Sequence, residues 1–288
     1  MVSSIAERAA SLLNSAVVST SPMAGGMICT ATRLLLSDGR SAVFKNHPRA
    51  PKDFFEIEAA GLKKLAQSNG VKVPEVLAVA EDCLILEWIE TGRPSVDAAE
   101  RFARSLAATH EYGADTFGGE SDGFIGLLPL PNRPTETWAD FFAHQRVLPY
   151  LKAAVDRAAL THEEAAVIEA LLSRLNEFAG ETEKPALVHG DLWNGNVIWA
   201  TQRLPYVIDP AVHGGHRESD LAMLALFGLP FLDHVFDAYH EAAPLAEGWK
   251  SRILIHQLHP LLVHAVIFGG SYGQRAVANA KSVLNGES

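Results

Sequence analysis

The chain has 288 residues, 48% hydrophobic and 20% charged, with a formal net charge of −10. That is the composition of a folded protein long enough to bury a large core in one domain or two lobes, and its acidic balance argues against nucleic acid or an anionic membrane as the main partner. Two cysteines, Cys29 and Cys83, make neither a disulfide framework nor a metal-ligand spacing, so two reduced thiols in a cytoplasmic protein are expected.

In chain order, MVSSIAERAASLLNSAVV reads as an amphipathic helix rather than a signal peptide. No uninterrupted apolar run approaches the ~20 residues of a membrane span. Strand-like runs at Met27–Leu36 and Ser41–Lys45 flank Ser37-Asp38-Gly39-Arg40, where Asp-Gly signals a hairpin turn. Phe54–Ala66 predicts a helix with Phe55, Ala59, Leu62 and Leu65 on one face. Val71–Val79 begins as an extended, proline-containing stretch, and Cys83–Trp88 predicts a short buried strand. At Thr91-Gly92-Arg93-Pro94 the texture changes to helical patterns: Val96–His110, Trp138–Arg157, Glu163–Ala179, Asp220–Leu226 and Ile253–Phe268. The exceptions are LVHGDLWNGNVIW (187–199) and PYVIDPAV (205–212), short strands bracketing polar turns. The expected fold is α+β and bilobal, with a sheet-rich lobe over residues 1–90, a hinge near 87–94 and a larger helical lobe over 91–288. No internal repeat or low-complexity tract is present.

The polar run HGDLWNGN has no apolar periodicity to bury, so its chemistry is the better guide. Asp191, Asn196 and Asp209, brought together by a hairpin, would form an oxygen-rich site of the kind Mg²⁺ prefers when phosphates complete its shell. Phosphoryl transfer also needs a cation on the phosphates. Lys45 on the second hairpin strand is the candidate, held by Glu58 on the following helix, and Gly25-Gly26 could let the backbone close over a nucleotide.

This ordered set resembles the protein-kinase-like fold in its small-molecule form, as in aminoglycoside and choline kinases. More narrowly, HGDLWNGN, IDPAV, HRESDLAM, LLVHAVIFGGSYGQ, FFEIEAAGL and DGFIGLLPLPN…TWADFFAHQRV resemble the fructosamine kinase (ketosamine 3-kinase) family from about residue 20 onward. The resemblance implies Asp191 as catalytic base and Asn196 and Asp209 as Mg²⁺ ligands. Lys45 would contact the α- and β-phosphates of ATP, and Glu87, Trp88 and Ile89 would hold adenine through their backbone. Trp193 and His264 would line the sugar site. The implied reaction is ATP-dependent phosphorylation of the 3-hydroxyl of a ketosamine, either a small sugar-amine conjugate or a glycated protein lysine. Ribulosyl- or erythrulosyl-amines are the first expectation.

Other polar residues read differently. Asp220 starts a helix, where an aspartate can cap backbone N–H groups and brace the catalytic loop. His216 and Arg217 either face the substrate or hold that turn, while His256 and His259 read as polar packing. Two departures from the family pattern, His213-Gly214-Gly215 after IDPAV and Gly228-Leu229-Pro230 after Leu226-Phe227, are expected near the acceptor site and bear on sugar preference. Met27 stands where some members carry a cysteine. The competing readings are a kinase for an aminoglycoside or choline-like amine, and a metal-dependent hydrolase using His189, Asp191, Asp209, His213 and His216. The mostly apolar DGFIGLLPLPNRP speaks against a polycationic acceptor.

Overall fold

The computed structural model describes residues 4–23, 28–201 and 204–287. Helix α1 (Ile5–Leu13) starts at a capping box between Ser4 and Glu7 and stops at Asn14, whose left-handed backbone turns the chain outward. The expected helix through Val18 therefore ends early. The β-branched residues after it enter strand β1 (Val17–Pro22) instead, on the edge of an antiparallel five-stranded sheet. The sheet continues with β2 (Thr30–Leu36), β3 (Ser41–Asn46), β4 (Val76–Ala80) and β5 (Cys83–Glu87) in the order β1-β2-β3-β5-β4.

Strand alternation decides which side chains face the cleft. Leu34, Ala42, Phe44, Cys83 and Ile85 pack with Ala9 of α1 on one face. On the other, Leu84 and Leu86 meet Phe55, Ala59 and Leu62 of α2 (Phe54–Gln67). Lys45 follows Phe44 and pairs with Leu84, so it falls on the α2 side.

The linker after β5 is tied to the second half of the chain: Gly92 N–H donates to the Trp199 carbonyl (2.5 Å) and Thr201 N–H to that of Glu90 (3.1 Å). Gly92 lies so close to Ala200 that an added Cβ would meet its carbonyl at 3.1 Å. Beyond it come α3 (Val96–Tyr112), the hairpin β6 (Gly123–Ile125) and β7 (Leu128–Leu130), α4 (Trp138–Phe141), a π-helical turn (Phe142–Val147), α5 (Leu148–Asp156), α6 (His162–Ser173) and α7 (Leu175–Phe178). Two short antiparallel pairs follow, β8 (Ala186–Val188) with β11 (His213–Gly215) and β9 (Val197–Trp199) with β10 (Pro205–Val207). The chain ends in α8 (Glu218–Phe227), α9 (Leu232–Ala242), α10 (Trp249–His256), α11 (Leu258–Phe268) and α12 (Tyr272–Asn285).

The predicted Ile253–Phe268 helix is thus two elements within Trp249–Phe268, a stretch long and apolar enough to cross a membrane but about two-thirds buried inside the fold. Buried residues of the π-turn, α5, α6, α11 and α12 share one core, while α3, α8 and α9 close over Leu187, Leu192 and Val207 in another. The second core supports the polar turns from beneath. Cys29 is half-buried, Cys83 is buried, and both are free thiols.

Candidate active site

The turn between β8 and β9 is held at several points. Ala211 N–H donates to the His189 carbonyl (2.8 Å), and Ile208 N–H to the Asn196 carbonyl (3.0 Å), lacing HGDLWNGN to the Ile208–Val212 segment. Gly190 has φ +81°, and a Cβ there would lie 2.2 Å from the Ala211 carbonyl oxygen, so only glycine fits between the two segments. Asp220, in the first turn of α8, accepts from His189 N–H (2.8 Å) and Gly190 N–H (3.0 Å). It braces the turn, as its position at a helix start suggested.

Two residues absent from the sequence reading complete that brace. His110 Nε2 lies 3.0 Å from Asp220 Oδ2, and its Nδ1 lies 2.7 Å from the Tyr239 hydroxyl. Nothing in the sequence hinted at this contact, because His110 ends a predicted helix with no polar partner nearby in the chain and Tyr239 lies 129 residues further on.

Lys45 is buried with its ammonium 2.5 Å from Glu58 Oε1 and 2.6 Å from Asp209 Oδ1. Burial would lower its pKa, but the carboxylates of Asp209 and Glu58 outweigh that and raise it, so the ammonium persists. Asp209 sits at φ +55°, a left-handed conformation costly for a non-glycine residue. Asn196 donates from Nδ2 to the Asp191 carbonyl (2.8 Å) and to Asp191 Oδ2 (3.1 Å). Its Oδ1 takes no hydrogen bond among the described residues. Burial, then the Asp209 charge, pushes the Asp191 carboxyl up to about 7, against the Asn196 hydrogen bond.

These groups line one cleft of about 1030 Å³, large enough for a nucleotide beside a small acceptor. Glu87, Trp88 and Ile89 form its linker wall, where the Arg33 guanidinium covers the Trp88 ring at 4.1 Å. Trp193 also lines it. The β6–β7 hairpin supplies Phe124 and Ile125 to the opposite wall, with Phe124 5.5 Å from Phe54 of α2. Gly25 and Gly26 lie outside the described residues, as does Met27.

His216 and His264 are not among the residues that line this cleft. His216 is buried against Trp138 and His256, away from the cleft; its Nδ1 accepts the Glu218 N–H at 3.2 Å and holds the turn into α8. Of the two roles weighed for it, the structure favours the turn. His264 sits beside Phe227, whose ring lies 6.1 Å from that of Trp193 and 4.8 Å from that of His264 between centroids.

The His213-Gly214-Gly215 departure has a packing reason. Those residues form β11, Gly214 exchanges hydrogen bonds with Gly118, and a Cβ on Gly214 would meet the Thr116 carbonyl at 1.9 Å. The set required by a hydrolase is not gathered. His189 and His213 each spend a ring nitrogen on a backbone carbonyl, of Ile208 and Ala211 respectively, and His216 lies apart.

A lysine, a helix carboxylate, an Asp–Asn pair and a second aspartate thus share one cleft beneath a five-stranded sheet. The model of the family described as fructosamine kinase matches residues 1–286. The chain belongs to the fructosamine kinase family. A protein of Synechocystis sp. named a probable ketoamine kinase is 36% identical over 263 residues, covering 89% of this chain and 88% of that one. Another, of Enterococcus faecium, is 36% identical over 259 residues, covering 88% and 91%. The crystal structure of a Thermobifida fusca protein assigned as a fructosamine-3-kinase superposes with TM-score 0.94 at 47% identity, covering 98% and 99%. A macrolide 2'-phosphotransferase type I (17% identity, TM-score 0.63, 98% of both chains) shares the fold alone. This fructosamine kinase family member is therefore a phosphotransferase of the ketoamine kinase type, with the α+β bilobal kinase-like fold.

Proposed function

We propose that the protein uses ATP to phosphorylate the 3-hydroxyl of a ketosamine of the fructosamine, ribulosamine or erythrulosamine type, releasing ADP. The 3-phosphate adduct then breaks down and frees the amine, so the reaction deglycates small amines or protein lysines in the cytoplasm. Residues 1–90 act as the nucleotide lobe and 91–288 as the catalytic and acceptor lobe. The observation that carries this reading is the meeting of Lys45, Asp191, Asn196 and Asp209 at one cleft, in a chain of this family.

Asp191 orients the 3-hydroxyl and takes its proton as the oxygen bonds to the γ-phosphorus and the bond to the β-phosphate oxygen breaks. Lys45, set by Glu58, holds the α- and β-phosphates; the backbone of Glu87, Trp88 and Ile89 holds the adenine edge. Asn196 Oδ1 and the Asp209 carboxylate are hard oxygen donors on the same cleft as the base, a set that fits Mg²⁺. When bound, the ion supplies charge neutralisation on the phosphates. Trp193 offers a flat face to the sugar.

The test is ADP release from Mg·ATP with fructosyl-, ribulosyl- and erythrulosyl-amines set beside aminoglycosides and choline. Turnover confined to aminoglycosides or choline would overturn the reading.

A further inference from the structure

Trp193, which lines the cleft, is the first of a chain of aromatic ring contacts. Phe227 follows at 6.1 Å, His264 at a further 4.8 Å, and then Phe268 and Tyr272 at 5.4 and 5.0 Å from His264. Phe268 is 45% exposed, against the habit of a large apolar ring at the end of a core helix. Gly269 and Gly270, between α11 and α12, hold left-handed backbones with open space where side chains would stand. His264 spends Nδ1 on the Pro260 carbonyl at 2.7 Å, and burial keeps its ring neutral. The Tyr272 hydroxyl takes no protein partner among the described residues.

We infer that Phe227, Phe268 and Tyr272 form a subsite for the hydrocarbon substituent on the acceptor's amine nitrogen, an aryl or long alkyl chain such as the stem of a glycated lysine. This rests on the ketosamine reading and says which amines the site favours. The argument is one of direction. With the sugar on Trp193 and its 3-hydroxyl at Asp191, the amine nitrogen lies three bonds of about 1.5 Å beyond the reacting carbon. Its substituent then passes Trp193, whose aromatic neighbour is Phe227, the next ring of the row.

The chemistry agrees with that path. A secondary ammonium is attracted to ring faces, and the methylenes or aryl ring beyond it gain from leaving water. The three steps from Trp193 to Phe268 reach farther than the four-carbon stem of a lysine. The charge that acts on His264 is that of Arg275, so a second cation at the far end is disfavoured. A hydrocarbon chain fits there better than a polyamine.

The test compares kcat/KM for fructosyl-methylamine and fructosyl-phenethylamine, which share the sugar and differ only in the substituent, in the parent protein and in Phe268→Ala and Tyr272→Ala. The parent should favour the phenethylamine adduct. Each variant should cut that preference about three- to ten-fold, through KM rather than kcat, as loss of one aromatic contact implies. A preference unchanged in both folded variants, or absent in the parent, overturns the subsite. No ADP release from any ketosamine overturns the ketosamine reading itself and this inference with it; turnover of both adducts at equal efficiency overturns the subsite alone.

Discussion

Replacing Asp220 by Asn changes one atom and should disable the catalytic turn. The carboxylate accepts three buried donors: His189 N–H and His110 Nε2 on Oδ2, and Gly190 N–H on Oδ1. A carboxamide keeps one acceptor oxygen. Placed at Oδ2, it leaves its own NH₂ facing the Gly190 N–H. Placed at Oδ1, it turns the NH₂ on the His189 N–H, and only the imidazole can adapt by changing tautomer. Either way one backbone donor next to Asp191 is orphaned, at a cost of about 1–3 kcal/mol. Thermal unfolding should move down by roughly 2–10 °C for a chain of this size. Because a shift of about 1 Å in a reacting group can cost a hundred-fold, kcat should drop about ten- to a hundred-fold. ATP affinity, which the proposed function assigns to Lys45 and the linker, should hold. Tyr239→Phe removes only the hydroxyl at His110 Nδ1 and should reproduce the effect weakly, near the ~1 kcal/mol of one hydrogen bond. The measurements are differential scanning fluorimetry, steady-state kinetics and nucleotide titration. An Asp220→Asn protein with parental Tm and kcat would refute the account of this carboxylate as the anchor of the turn.

Asp191→Asn should lower kcat by about two to four orders of magnitude while leaving nucleotide binding measurable by titration calorimetry; turnover within a factor of ten of the parent would exclude Asp191 as the base. Lys45→Met strands the buried Glu58 carboxylate, so stability should fall by about 3–5 kcal/mol. Adding Glu58→Gln should restore stability in denaturant titrations without restoring ATP turnover, which separates the two roles of the pair. Burial lowers the pKa of His216 and His259 to about 3, and that of His213 well below the ordinary value. These folded values lie below the unfolded value of about 6.5. Their contribution to stability is therefore complete above that pH and is lost as pH falls. Near pH 5 these three groups make the unfolded chain bind close to three more protons, and the Asp191 carboxyl, raised to about 7 in the folded state, takes back about one, leaving a slope of roughly 3 kcal/mol per pH unit; a flat stability between pH 7 and 5 by urea titration would contradict it.

The elements that set the nucleotide side were legible because their signals are local. Asp38-Gly39 marked the β2–β3 hairpin, the spacing of Phe55, Ala59 and Leu62 marked α2, and period-two alternation then put Lys45 on the face of Glu58. The edge strand β1 went unread because its side chains are mostly exposed and its β-branched run continues a helical pattern without an apolar break. The acceptor side was less legible for a different reason. His216, His256 and His264 are all histidines on or beside apolar helices, and sequence cannot tell a wall of the cleft from a core position one helix turn away. Long-range packing decided it. Trp138 packs against the buried His216 and His256, while Phe227 touches both Trp193 and His264.

The same packing bears on metal chemistry. His216, Glu218 and His256 bring ligand atoms within 4.8 Å of one another, and among the described residues the cleft histidines form no such group. The carboxylate between them is already committed, because Arg252 Nε donates to Glu218 Oε2 at 2.9 Å and its NH2 to Oε1 at 2.6 Å. That fork occupies both oxygens with a full positive charge. A divalent ion would have to displace the guanidinium and leave it buried without its partner, a loss comparable to breaking a buried ion pair. The histidines instead pack against Trp138, and His256 also against Phe142, filling the space under the α8 turn that Asp220 uses to hold His189 and Gly190. The cluster thus acts on the chemistry only through the backbone of that turn. The groups able to meet a triphosphate remain Lys45, Asp191, Asn196 and Asp209, on the other side of it.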